Sequence, residues 1–236
     1  MIRAIVVDDE VHARNELCAM LEETGAFEVV GSCGHAIEAL QALKHERPEV
    51  MFLDIRMPGL SGFELLNMID EEIMPIVVFV TAYEEYAIRA FEENAVDYLL
   101  KPIEPERLQK TVQKLRKMVR EPERPVYPPQ TINKIPCISA QRIRLIGLTD
   151  VDLVRSDIAG VYVVTSDAEY FTELTLKILE ARTNLVRCHR QFLVNIDRAD
   201  EILLQENQSA QIRMRSGKVV PVSRRYFRRM KEQFWF

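Results

Sequence analysis

Five short apolar runs, each followed by a stretch with helical spacing, constrain the first half of this chain more than any other feature. The runs are Ala4–Val7, Glu28–Ser32, Val50–Asp54, Ile76–Thr81 and Ala95–Leu100. Between them lie helical patterns such as Ala13, Leu17, Met20 and Leu21, then Ile37, Leu40 and Leu43. Strands that are apolar along their whole length and alternate with helices are covered on both faces, which belongs to a parallel sheet. The pattern predicts a doubly wound α/β domain with five parallel strands in the flavodoxin-like order.

A helix expected over Glu106–Val119 is followed by a stretch with prolines at 122, 125, 128 and 129. Such a segment cannot continue a helix and reads as an extended linker. Beyond it the texture turns to short β-rich pieces: Lys134–Ser139, Arg142–Leu148, Val151–Arg155, Val161–Thr165, Phe192–Asn195, Ile202–Gln205, Gln211–Met214 and Val219–Val222. Turn residues between them predict an antiparallel meander. One helical insert over Leu174–Arg182 and a closing helix over Ser223–Phe234 complete it. The expected division is a first domain at 1–119, a linker at 120–131 and a mainly-β second domain at 132–236.

Composition excludes several classes. With 47% hydrophobic and 28% charged residues, the chain has the apolar content of a packed protein and is not a disordered one. Cys18, Cys33, Cys137 and Cys188 form no CxxC pair, which argues against a disulfide framework and a zinc site. The longest apolar run, Ile76–Val80, is far short of the roughly 20 residues a membrane helix needs. The chain opens directly on a strand pattern and not on a secretory signal, so a soluble, cytoplasmic protein without membrane insertion is expected. Charge is unevenly spread. Residues 1–120 carry 13 Lys and Arg against 22 Asp and Glu, whereas residues 131–236 carry 17 against 12. Only the second half is suited to meet a polyanion.

Asp8 and Asp9 end the first predicted strand, Asp54 the third, Thr81 the fourth and Lys101 the fifth. Ligands of open parallel sheets bind outside the carboxyl ends of the strands, so these groups converge on one crevice. Three carboxylates close together need a cation, and oxygen ligands combined with phosphate chemistry favour Mg²⁺. Asp54 is then placed to attack a phosphoryl group, with Thr81 and Lys101 holding its oxygens. Taken singly, each residue has a plainer reading: Asp8 or Asp9 as a helix cap, Lys101 as a solvated turn residue. Their joint placement at four strand ends favours the functional one.

The segments Val6-Val-Asp8-Asp9-Glu10, Phe52-Leu-Asp54-Ile-Arg-Met-Pro58-Gly-Leu-Ser-Gly62, Val80-Thr81-Ala82 and Tyr98-Leu-Leu-Lys101-Pro102 resemble the receiver domain of two-component response regulators. The resemblance implies that Asp54 is the phosphoacceptor, served by a sensor histidine kinase. It implies Asp9, Asp54 and the Arg56 backbone carbonyl as direct Mg²⁺ ligands, with Asp8 acting through water. Thr81 and Lys101 match the switch hydroxyl and the phosphate-binding lysine, and Tyr98 the aromatic that follows Thr81. Lys101-Pro102 matches a cis peptide. Such a domain catalyses only its own phosphoryl transfer and dephosphorylation. Phosphorylation is expected to alter the surface around 82–95 and 97–108 and make it a homodimer interface.

In the second half, Arg187, His189 and Arg190 crowd an expected turn before an apolar strand, and Arg224 and Arg225 open the last helix. Paired guanidiniums on loops can contact phosphates and read guanine edges. Phe227, Met230 and Phe234 at helical spacing read as core, with Arg228, Arg229 and Lys231 a solvated face. The stretches Arg187-Cys-His189-Arg190-Gln-Phe-Leu-Val-Asn195 and Val220-Pro-Val-Ser-Arg224-Arg225-Tyr226 resemble LytTR-type DNA-binding domains of the LytR/AlgR regulators. With Phe171-Thr-Glu-Leu-Thr-Leu176, the combination is most similar to YehT-type regulators. This implies loops inserted into double-stranded promoter DNA, with Arg190 and Arg224 near bases and Arg187, His189 and Arg225 near phosphates. The loop 156–160 is a third contact, and Asn195 is read as structural. The reading is a phosphorylation-controlled transcriptional regulator. An RNA-binding or protein-binding output stays open, and a gel shift of duplex DNA against RNA separates them. An enzymatic output lacks any nucleophile or metal motif.

Overall fold

The computed structural model describes residues 1–83, 95–120, 131–139, 142–204 and 210–234. The expected proline linker and most of the surface at 82–95 lie outside them. The chain forms two compact units, residues 1–130 and 131–236. Among the described residues, no helix is long and apolar enough to cross a membrane.

The first unit holds a parallel sheet of β1 (Ile2–Val7), β2 (Phe27–Cys33), β3 (Val50–Leu53), β4 (Ile76–Thr81) and β5 (Asp97–Leu100), ordered β2-β1-β3-β4-β5. This is the predicted flavodoxin-like order. Every residue of β3 and β4 is buried, as continuous apolar runs require. Helices α1 (Val11–Glu23), α2 (Ala36–Glu46), α3 (Gly62–Leu66) and α4 (Pro105–Met118) accompany the strands. Leu17 and Leu21 of α1 and Leu108, Val112 and Leu115 of α4 pack on one cluster with Phe27, Phe52 and Val78. Phe27 and Phe52 meet edge to face at 5.6 Å. Short α3 was not legible in the pattern. It is set by Ser61 and Glu64, whose side chains satisfy each other's backbone N–H groups in a capping box.

The second unit has a seven-stranded sheet ordered β11-β12-β8-β9-β10-β6-β7 and a three-stranded sheet β13-β14-β15. Its strands are β6 (Lys134–Ser139), β7 (Arg142–Gly147), β8 (Val151–Asp157), β9 (Gly160–Thr165), β10 (Glu169–Thr172), β11 (Val186–His189), β12 (Phe192–Val194), β13 (Ala199–Leu204), β14 (Ala210–Met214) and β15 (Val219–Val222). The pairings are antiparallel, but the large sheet is not the simple meander expected. Hairpin β6–β7 joins through β10, Phe171 facing Ile138, and hairpin β11–β12 joins through β8, Leu193 facing Val154. Helix α5 (Leu176–Arg182) starts two residues later than expected because Thr175 caps it, its hydroxyl accepting from Ile178 N at 3.2 Å. Helix α6 (Arg224–Phe234) packs Phe227 and Met230 into a cluster with Leu153, Cys188, Ile212 and Val222. The side chain of Phe234 lies outside the described residues.

Candidate functional site

Strand register creates the first site. Val7 lies beside Leu53, so the residues that follow, Asp8 and Asp54, emerge side by side, tied by Asp54 N donating to Val7 O at 2.8 Å. Thr81 lies beside Leu100, so Lys101 emerges next to it, its N–H donating to Thr81 O at 2.9 Å. Asp8, Asp9 and Asp54 offer carboxylate oxygens all within 4.8 Å of one another. Asp8 and Asp54 are buried and Asp9 is exposed.

The Lys101 ammonium stands between the two buried carboxylates, 2.7 Å from Asp8 Oδ2 and 2.8 Å from Asp54 Oδ2. Burial alone would lower its pKa, but the hydrogen bonds to Asp54 and Asp8 outweigh that and raise it. Asp54 Oδ1 accepts from Arg56 N at 3.2 Å and Asp8 Oδ1 from Glu10 N at 3.0 Å. Thr81 is fully buried, and among the described residues its hydroxyl has no hydrogen-bond partner. Tyr98 is buried at 8% exposure and donates its hydroxyl to the carbonyl of Tyr83, two residues past Thr81. The Lys101-Pro102 peptide is cis.

Sequence reasoning missed the part played by Gly62. Its N–H donates to Ile55 O at 2.9 Å, and a Cβ there would stand 2.4 Å from the carbonyl oxygen of Asp54. The loop after β3 can therefore close only over a glycine. Gly62→Ala is expected to destabilise the first unit by about 1–3 kcal/mol, the usual range for overpacking. Denaturant unfolding checks this, and an unchanged midpoint would mean the loop has room.

The second unit gathers the basic residues at one junction. The expected turn placement of Arg187 and His189 is corrected: both lie on β11, and only Arg190 and Gln191 form the turn into β12. A short strand interrupted by arginine and histidine carries too few apolar residues to be read as one. Ser223, just ahead of α6, donates its N–H to Cys188 O at 3.0 Å, which brings the start of the helix to the β11–β12 hairpin. Arg190, Arg224 and Arg225 are exposed there. The hairpin loop of β8–β9 joins them, with Ser156 N donating to Gln191 O at 2.8 Å and Ile158 fully exposed at its tip. Gly160, at φ +134°, ends that loop, where a Cβ would strike the Phe171 ring at 2.5 Å.

His189 Nδ1 accepts from Gln191 N at 3.2 Å, so its ring is neutral when that bond is made. Desolvation and the neighbouring Arg190 and Arg187 charges lower its pKa, which favours that form. Burial pushes the Cys188 thiol up to about 12, so it is no nucleophile. Asn195 is buried and structural in its contacts, donating to Leu148 O at 2.9 Å and accepting from Asp197 N at 3.1 Å. Behind the hairpins lies a second residue missed in the sequence. Asp152, fully buried, pairs with Arg198 at 2.7 Å and faces Lys218 at 3.7 Å. No periodic signal marks a charge whose partners lie 46 and 66 residues away.

Comparison with known proteins agrees with both units. Residues 4–113 match the response regulator receiver domain and residues 141–235 the LytTr DNA-binding domain. The chain is 49% identical over 239 residues to a response regulatory protein of Vibrio cholerae, covering all of both chains. It is 49% identical over 235 residues to the transcriptional regulatory protein BtsR (YehT) of Salmonella typhi, and 48% identical to that of Escherichia coli K12. Each of these two matches covers 98% of both chains. The chain belongs to the response regulators that couple a receiver domain to a LytTR DNA-binding domain.

Proposed function

We propose that Asp54 accepts a phosphoryl group from a sensor histidine kinase, and that this modification governs how the second unit grips promoter DNA. One observation carries the reading: a buried Asp54 carboxylate, 2.8 Å from Lys101, sits with two more carboxylates at the rim where β4 ends on Thr81, whose buried hydroxyl has no partner among the described residues. A buried hydroxyl at this rim suits a phosphoryl ligand, because the Thr81 hydroxyl gains an acceptor once a phosphoryl oxygen is near.

The donor set suits Mg²⁺, being oxygen-only and rich in carboxylates. Asp9, Asp54 and the Arg56 carbonyl would hold it directly, and Asp8 through water. When bound, the ion neutralises the charge that phosphoryl transfer concentrates in the crevice. An Asp54 oxygen attacks the phosphorus of the donor's phosphohistidine, forming a P–O bond as the P–N bond breaks. Lys101 then exchanges the Asp54 carboxylate for a phosphoryl oxygen, and the Thr81 hydroxyl turns to donate to another. Tyr98 is already buried and tied to the backbone two residues past Thr81, so a shift of that backbone is passed on to its ring. The responding surface includes residues 97–108 and is proposed to support a homodimer. The chain's chemistry acts on itself, not on a small substrate.

In the second unit, Arg190 and Arg224 are assigned to base edges, and Arg225 and the Nε2 side of His189 to phosphates. The shared junction and the exposure of the arginines support this assignment. Mass spectrometry after exposure to a small acyl phosphate in magnesium buffer tests the receiver half. A single added phosphoryl group is expected on Asp54, and none on Asp54→Asn. Modification that survives in that variant would overturn the assignment.

A further inference from the structure

We propose that Arg187 is a positioning residue, which sets the β11–β12 turn from behind and makes no contact with DNA. The inference rests on the reading of this junction as the DNA-binding surface. Sequence spacing alone puts Arg187 among the phosphate contacts, but the geometry turns it inward. Its side chain is only 16% exposed. The Nε–H donates to His189 O at 2.9 Å and an Nη2–H to Arg190 O at 2.6 Å. Nη1 faces Glu180 Oε2 at 3.6 Å, a carboxylate presented by α5.

The backbone explains why a brace is needed. The ladder between β11 and β12 slips between Arg187 and His189, so an irregularity sits directly before the His189–Phe192 pair that flanks the turn. The two carbonyls at the turn, of His189 and Arg190, are the ones the guanidinium takes up. A planar fork can hold two carbonyls at once in fixed directions, whereas a lysine ammonium is a point charge on a flexible stem. Two further bonds finish the turn, Gln191 N to His189 Nδ1 and Ser156 N to Gln191 O. Arg190 is thus presented from a backbone fixed on both sides, and little ordering remains to be done on binding. The remaining Nη1 faces Glu180, and with only 16% of the side chain exposed little of Arg187 is left to reach a phosphate.

The experiment compares the full-length wild type with Arg187→Lys, Arg187→Ala and Arg190→Ala. Each is titrated with a duplex that the wild type selects from a randomised pool and with a shuffled duplex, across a salt series. A brace predicts that lysine is nearly as harmful as alanine. Both should bind the selected duplex about tenfold or more weakly, with the salt slope unchanged and shuffled-duplex binding nearly intact. A phosphate contact predicts the reverse: lysine close to wild type, and alanine losing about one unit of slope on both duplexes. That result would overturn the proposal.

A measurement on the free protein needs no DNA. Exchange of the Gln191 amide should quicken at least tenfold in Arg187→Lys, and an unchanged rate would equally sink the brace. In the wild type, the Arg187 Nε–H resonance should be protected and should keep its position when duplex is added. A wild type that ignores duplex altogether would refute the DNA reading, while the Gln191 exchange would still decide whether Arg187 holds the turn.

Discussion

Removing the Lys101 ammonium, as in Lys101→Met, is expected to cost the first unit about 3–5 kcal/mol in magnesium-free buffer, the range for stripping one partner from a buried ion pair. The size follows from what is left behind. Asp8 is 2% and Asp54 7% exposed, and the ammonium between them is the cation that bridges the two. Without it, two desolvated carboxylates face each other. Two controls identify the cause. Millimolar magnesium should restore much of the loss, raising the melting temperature of Lys101→Met more than that of the wild type. Adding Asp54→Asn to the variant should also recover stability, because one of the opposed charges is gone, and the pair should depart from additivity by 1 kcal/mol or more, as groups in one network do. A variant that melts like the wild type without magnesium would show that Lys101 does not neutralise the pair.

Arg190→Ala and Arg224→Ala should each weaken binding to a preferred duplex by about 1–3 kcal/mol and relax base choice at the position they face. Both side chains are exposed, so neither substitution disturbs the fold. Their losses should not simply add. The two residues stand on segments joined by the Ser223–Cys188 hydrogen bond, so losing one contact lets the duplex shift away from the other. Competition titrations against duplexes altered one base pair at a time read this directly. Equal losses on preferred and shuffled duplexes would make the arginines phosphate anchors.

The carboxylate–lysine site was legible because a parallel sheet turns sequence position into spatial position. A residue just past a strand end goes to one rim, and Asp8, Asp54, Thr81 and Lys101 all obey that rule. Gly62 escaped because its role depends on how closely the backbone of a loop approaches Asp54, which no side-chain pattern records. The second unit was harder to read for a related reason. Its hairpins follow from alternation and turn residues, but the pairing of β6 with β10 and of β8 with β12 depends on contacts distant in sequence. Strand β10, four residues long, and strand β11, broken by Arg187 and His189, gave no apolar run. An arginine's partners are the hardest of all to foresee. Arg187 and Arg190 look alike in the sequence, yet one faces its own backbone and the other faces solvent.

The bond from Ser223 to Cys188 also bears on how the protein comes into being. The junction of Arg190 with Arg224 and Arg225 is completed only when the last strand and helix fold back on a hairpin laid down some thirty-five residues earlier. During synthesis, the acidic first unit, with Asp8, Asp9, Asp54 and Lys101, is complete long before that closure. A chain cut short after β15 would keep Asp8, Asp54, Thr81 and Lys101 and lose Arg224, Arg225 and the helix that seats them. On the proposed reading, such a fragment would compete for the kinase and grip promoters poorly, a dominant silencer made by a single late stop.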